Sequence, residues 1–414
     1  MKILFLSNLY PPNIVGGYER ICFEVASGLS ARGHQVRVLT SDYGGKVEDF
    51  PGQIVERTLK LFATEGDIYQ PFNCTPEQRV AMNIHNIETL TRAIEEFEPH
   101  LIFVWNLFFF DPSLLDTIKR IKQPLVYLLT DNWLISFLNP SFLQDYFIQR
   151  VFNNQSSLEL LYFNTKRWLR SWRKPKLLLP GHAIFPSRFM RDLYTEADLG
   201  FDSKTIIYHG VDLSNYPEND FSNRTRLLQD GELRLLVAGR IVQIKGIHTV
   251  IAALPSIIRE LPDLKVKLTV RGDDRDRPYM ERLQAQVAQL GLESAIEVAK
   301  PVAQNELFNL FQNHDIYLFP SLYEPFALTL IQALAAGIPT IASSAGGNIE
   351  IVQHMQTGLL FPPAHTQKLA EAVVQLTAKG RLRQSISEKA RNVARHYTSA
   401  RMVGEVEQLL KNLR

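Results

Sequence analysis

Short apolar runs and longer amphipathic stretches take turns along this chain. KILFL (2–6), HQVRVLT (34–40), LIFVW (101–105), PLVYLLT (124–130), HAIFPS (182–187) and TIIYH (205–209) are strand-like. Between them stand GYERICFEVASGLSARG (17–33), RVAMNIHNIETLTRAIEEFE (79–98) and PSLLDTIKRI (112–121), whose apolar residues return at helical spacing. A polar segment, 215–232, interrupts the rhythm and is the candidate linker. The alternation then resumes with LRLLVAG, IHTVIAALPSIIREL, LKVKLTVRG, YMERLQAQVAQLG, AIEVAK and DIYLFP. Strand-helix alternation of this kind predicts an α/β fold of doubly wound parallel sheets. The expected domains are 1–208 and 209–395; the end of the chain, from about 385, reads as helical throughout, with about 396–414 packing back across the junction.

The 414 residues exceed one ordinary core, which agrees with two domains and implies a nucleotide-sized cleft between them. Lys plus Arg (45) nearly balances Asp plus Glu (43), so net charge calls for no nucleic-acid partner. Cys22 and Cys74 are far apart and lack metal-ligand spacing, which suits a reducing cytoplasm. MKILFLSN is too short an apolar run for a signal peptide, and LIFVWNLFFF is about half of what a spanning helix needs. Residues 158–177 set Lys166, Arg167, Arg170, Arg173, Lys174 and Lys176 among Trp168 and Trp172. Such a helix suits peripheral contact with an anionic membrane face; the other reading is an amphipathic helix with buried aromatics and snorkelling cations.

Three segments carry candidate chemistry. In PPNIVGGYER, Gly16 and Gly17 follow the first strand and open the first helix, where backbone N–H groups can approach a phosphate, or they form only a tight turn. In AGRIVQIKGIH, Arg240 ends a strand and Lys245 precedes Gly246 and a new helix, a cationic site fit for a diphosphate, or else a solvated basic turn. In SLYEPFALTLIQALAAGIPTIAS (321–343), Glu324 stands at the carboxyl end of a strand, where parallel sheets bind ligands. A carboxylate there can accept from sugar hydroxyls, and it can also complement the dipole of the helix that follows. Asp274-Arg275-Asp276 matches a short Asp-x-Asp metal pattern but reads as a solvated turn, so no metal is expected. His182 and His209 read as hydrogen-bonded scaffold.

Together these motifs, with RGHQVRVLT, FPSRFMRDLY, HGVDLSNY and AGGNIEIV…TGLLFPP, resemble the retaining glycosyltransferases of family 4, and the likeness covers nearly the whole chain. It implies the GT-B fold: two Rossmann-like domains facing an interdomain cleft, the first binding the acceptor and the second the nucleotide sugar. By that likeness Arg240 and Lys245 compensate the leaving diphosphate, Glu324 holds donor-sugar hydroxyls, and the backbone of Phe326, Ala327 and Leu328 approaches the donor. Gly16 or Gly17 would complete the phosphate site. The family's second Glu, at the ribose, is Gln332 here; Ala327 replaces a favoured Gly, and Thr130 replaces a His ahead of Asp131. Asp131 then either orients an acceptor hydroxyl or caps a helix.

The resulting expectation is a metal- and cofactor-independent, retaining hexosyltransferase acting in polysaccharide, glycolipid or related glycoconjugate synthesis. Its donor is a UDP-sugar, with UDP-glucose foremost by family frequency, and its acceptor a carbohydrate or lipid-linked hydroxyl. The alternatives are a catalytically silent sugar-nucleotide sensor or scaffold, suggested by Gln332, Ala327 and Thr130 falling in one site, and a nucleotide-sugar epimerase.

Overall fold

The computed structural model describes residues 1–45, 50, 52–64, 68, 72–152, 165, 169, 175–217 and 231–413. Most of the basic aromatic segment 158–177 and of the linker 215–232 lies outside the described residues. The chain forms two compact units: Met1–Phe147, Gln155–Gly210 and Ser399–Arg414 in the first, Ile148–Asn154 and Val211–Thr398 in the second.

The first unit holds a seven-stranded parallel sheet of β1 (Lys2–Ser7), β2 (Gln35–Ser41), β3 (Ile54–Leu59), β4 (Leu101–Asn106), β5 (Leu125–Leu128), β6 (Leu177–Phe185) and β7 (Leu199–Ile206). Its order is β3-β2-β1-β4-β5-β6-β7. Helices α1 (Tyr18–Ala31), α2 (Pro76–Phe97), α3 (Ser113–Lys119), α4 (Trp133–Leu138), α5 (Pro140–Tyr146) and α6 (Arg188–Glu196) belong to it. Central β4 is buried at every position, as a strand covered on both faces must be, and Phe5, Phe103 and Trp105 stack across β1 and β4. Edge strand β3, IVERTL, is half-exposed and carries charge, which hid it from a search for apolar runs. The strand expected at 205–209 lies earlier, at Leu199–Ile206, because the polar edge sequence LGFDSKTI pairs with β6 along its whole length.

The second unit repeats the plan with β8 (Glu232–Ala238), β9 (Lys265–Arg271), β10 (Ile296–Ala299), β11 (Ile316–Phe319), β12 (Thr340–Ser343) and β13 (Leu359–Phe361), ordered β10-β9-β8-β11-β12-β13. Its helices are α7 (Ile247–Glu260), α8 (Arg277–Leu290), α9 (Leu307–Gln312), α10 (Leu328–Ala336), α11 (Asn348–Ile351), α12 (Thr366–Ala378) and α13 (Gly380–Ala394). One core runs through it, from Leu235 and Leu268 on the strands to Val250, Leu254 and Val373 on the helices. In each unit the winding reverses beside the first strand, between β1 and β4 and between β8 and β11, and ligands of such sheets bind at the carboxyl ends there. Among the described residues no helix is long and apolar enough to cross a membrane.

The chain end is not one continuous helix: α13 stops at Ala394, Val211 donates to the Tyr397 carbonyl (2.9 Å) and bridges Thr398, and α14 (Ser399–Asn412) then begins. That bridge diverts the backbone from helical pairing. Helix α14 packs on α1 within the first unit, where a Cβ on Gly28 would come within 2.7 Å of Val403. Glu407 anchors it, accepting from Arg32 (2.9 Å) and Lys411 (2.6 Å) and meeting the His34 ring at 3.0 Å. These bonds to its ionised form hold the Glu407 carboxyl well below its ordinary 4.5, at about 2. A depressed carboxyl contributes stability above its unfolded value and loses that contribution as pH falls through the folded one. The window for Glu407 is therefore 4.5 down to about 2. Glu407→Gln should lower the melting temperature near neutral pH, and the gap from wild type should shrink on acidification toward about pH 3. Thermal melts across that range check this; a gap that does not change with pH would remove Glu407 as the cause.

Candidate active site

At the β8 end the chain leaves the sheet through Gly239 (φ +147) and Arg240, makes a 3₁₀ turn over Gln243–Lys245, and enters α7 through Gly246 (φ +68). Only glycine suits position 246, since a Cβ there would lie 2.2 Å from the Pro320 carbonyl oxygen and the backbone is left-handed. That close passage lays the Lys245 turn against the β11 end, where Leu322 N–H donates to the Ile244 carbonyl (2.8 Å). Lys245 Nζ then reaches Glu324 Oε2 at 2.6 Å and lies 5.7 Å from the centre of the Phe319 ring.

Glu324 is 8 % exposed, so its charge is largely withdrawn from water and has to be compensated locally. Lys245 supplies the counter-charge, and Ser321 Oγ donates to the same carboxylate oxygen at 3.3 Å. Glu324 does not stand in the first turn of the helix that follows: α10 begins at Leu328 with Ala327 as its N-cap, which favours the cation partner over the helix dipole as its main compensation. Arg240 is exposed at the β8 end, and its charge helps to lower the Asp273 carboxyl, whose main partner is Arg275. Buried Tyr317 on β11 ties the two strands at the reversal, its hydroxyl donating to the Ala238 carbonyl (3.2 Å).

Phe326 and Ala327 are buried, and the Phe326 ring packs 5.9 Å from that of Tyr397. Gln332, one turn into α10, is 2 % exposed, and its amide nitrogen meets no hydrogen-bond acceptor among the described residues. A buried donor left so costs about 1–3 kcal/mol, which a ligand oxygen could recover. The Asp-x-Asp segment is structural: Asp276 caps α8 by accepting from Tyr279 N–H (3.1 Å), and Asp274 pairs with Arg277 at 3.6 Å.

The other candidates belong to the first unit. Gly16 N–H and Val15 N–H both donate to the carboxylate of Glu19, at 3.0 and 2.8 Å, so the Gly16 amide is already engaged. Glu19 is fully buried, and burial raises its carboxyl above the ordinary range against those bonds. A Cβ on Gly16 would make only ordinary contacts, so the chain's own packing does not require glycine there. Asp131 uses one oxygen to accept from Trp133 N–H (2.9 Å) at the start of α4 and the other to accept from Asn106 Nδ2 (2.7 Å). It stands one residue ahead of the N-cap Asn132 and satisfies the first helical amide, while Asn106 fixes its second oxygen. The Thr130 hydroxyl beside it is buried without a hydrogen-bond partner among the described residues. His182 lies between the hydroxyls of Ser203 (2.6 Å) and Thr205 (3.0 Å), and burial with the nearby Arg401 pushes His209 down to about 3, so both are neutral scaffold groups.

Sequence reasoning missed Ser321, Glu19 and Asn106. Ser321 sits three residues before Glu324, the one local signal that could have found it.

Two family models match: Glycosyltransferase Family 4 over residues 15–215 and Glycosyl transferases group 1 over 219–393. An uncharacterised glycosyltransferase of Methanocaldococcus jannaschii is 24% identical over 404 residues, covering 94% of this chain and 93% of its own. The glycogen synthase of Mycobacterium tuberculosis is 25% identical over 389 residues, 90% of this chain and 85% of its own. Sucrose-phosphate synthase from Thermosynechococcus elongatus superposes with a TM-score of 0.74 at 20% identity, covering 100% of this chain and 98% of its own. Anabaena HepE in complex with UDP and glucose gives 0.66 at 20% identity, with both chains covered completely. The two family models join at 215–219, just past the Gly210–Val211 division between the two units, and this chain belongs to the family 4 glycosyltransferases of GT-B fold.

Proposed function

We propose that this glycosyltransferase moves a hexose from a UDP-sugar to an acceptor hydroxyl with retained anomeric configuration and without a metal ion. The Lys245–Glu324 pair at the winding reversal of the second sheet carries the reading. It sets a cation where a diphosphate would bind and a carboxylate where sugar hydroxyls would be held. Arg240 adds a second cation at the same strand end, and fixed cations facing a leaving group that gains charge stabilise the transition state more than the ground state. UDP and glucose follow from the Anabaena neighbour, whose structures hold UDP, glucose and UDP-glucose. Gln332 is assigned to the ribose, where its buried amide would find an acceptor. Phe326, Ala327 and Leu328 offer backbone to the donor, Gly17 rather than the Glu19-bound Gly16 an anion contact, and Asp131 an orienting acceptor for the attacking hydroxyl. Retention is read as same-face attack assisted by the leaving phosphate. The acceptor is a carbohydrate or lipid-linked hydroxyl in glycoconjugate synthesis.

Incubation with a panel of labelled sugar nucleotides tests the reading, since transferases of this kind hydrolyse their donor slowly without acceptor. UDP-glucose should be consumed, and Arg240→Ala, Lys245→Ala and Glu324→Ala should each cut turnover at least tenfold, about 1.4 kcal/mol. An isomerised sugar nucleotide, or binding without turnover, would refute transfer. Gln332→Glu should tighten UDP binding by on the order of 1 kcal/mol, because a carboxylate accepts from both ribose hydroxyls. Unchanged affinity in calorimetry would remove Gln332 from the ribose.

A further inference from the structure

The turn after β12 grips the main chain of Glu324. Gly347 N–H donates to the Glu324 carbonyl (2.8 Å), and a Cβ on Gly346, whose φ is +55°, would come within 2.1 Å of that carbonyl oxygen. These contacts fix the backbone but leave the carboxylate able to rotate. A second set of bonds runs from the same turn to the side chain. Asn348, the first residue of α11, donates from Nδ2 to the Ser343 carbonyl (3.1 Å) and to Ser343 Oγ (3.3 Å). The Ser343 hydroxyl donates to the Ser321 carbonyl, and the Ser321 hydroxyl donates to Glu324 Oε2 (3.3 Å). Ser321, Ser343 and Asn348 are 1 %, 0 % and 0 % exposed, so water does not compete for these bonds.

The bonds have a direction. An amide NH₂ carries two donors, one for each Ser343 oxygen. Once Ser343 Oγ accepts from Asn348, its single proton is committed to the Ser321 carbonyl, which holds the residue whose own hydroxyl meets Glu324. The reverse amide orientation would set Asn348 Oδ1 against the Ser343 carbonyl, acceptor against acceptor, so the donor assignment follows from the network. Asn348 Oδ1 meanwhile is buried with no hydrogen-bond partner among the described residues. An apolar residue at 348 would avoid that penalty, so the position keeps its donors at the expense of an orphaned acceptor.

We propose that Ser343 and Asn348 are positioning residues that aim the Glu324 carboxylate, acting through Ser321 and without touching substrate. The proposal rests on the reading of Glu324 as the donor-sugar contact. UDP-glucose and UDP are the probes, because only the first presents a sugar. Asn348→Ala and Ser343→Ala should each lower kcat/KM for UDP-glucose hydrolysis about five- to tenfold while UDP affinity stays within about twofold. The double variant should lose no more than the worse single one, since both act on one relay. Ser343→Thr, which keeps the hydroxyl, should recover most of the loss. A crystal structure of Asn348→Ala should show the Glu324 carboxylate displaced from Lys245, a readout that needs no turnover. If both alanine variants turn over like wild type while Glu324→Gln is impaired, the relay is overturned and the reading of Glu324 stands. If Glu324→Gln is itself as active as wild type, the reading of the site fails and takes the relay with it. An equal loss of UDP affinity, or an unmoved Glu324 in the crystal, would also overturn the proposal.

Discussion

Burying a carboxylate is the constraint from which the candidate site follows. Glu324 is 8 % exposed, and a charge so placed is tolerable only with a close counter-charge and further donors. Lys245 meets that need from 79 residues away in the chain, which requires the β8 turn to pass directly over the β11 end. That passage in turn requires glycine at 246, and the grip on the other side of Glu324 requires glycine at 346. The pair also holds two groups in position that a diphospho-sugar would need separately: a cation that a phosphate can share and a carboxylate that sugar hydroxyls can approach. On the proposed reading, little rearrangement is then left for binding to accomplish.

The central strands were legible because burial on both faces leaves apolar residues at nearly every position, as in LIFVW and IYLFP. The edges were not, because half-exposed strands such as IVERTL carry charges that resemble loop. At the site, Arg240, Lys245 and Glu324 were legible from their places at strand ends. Their partnership was not, since no local pattern announces that Lys245 and Glu324 meet. Ser343 and Asn348 were invisible for a different reason: their function lies in hydrogen-bond direction, which depends on the packing of two separate turns. The Gly16 amide shows the opposite failure, as an apparently available donor proves to be held by Glu19 only three residues on.

Two residues that depart from the pattern the resemblance implies, Gln332 and Thr130, share a physical property. Each buries a polar atom without a hydrogen-bond partner among the described residues. Each such atom costs stability that a hydrogen-bonded or apolar replacement would not. Ala327, the third departure the resemblance implies, is instead buried as the N-cap of α10.

Helix α14 bears on how the protein is made. The α1 surface against which Val403 packs is synthesised early, but its cover arrives only after the entire second unit has been translated. Until then Gly28 and Glu24 of α1, and its C-cap Arg32, lack the partners that α14 brings them. The unit begun first is therefore the one completed last on the ribosome.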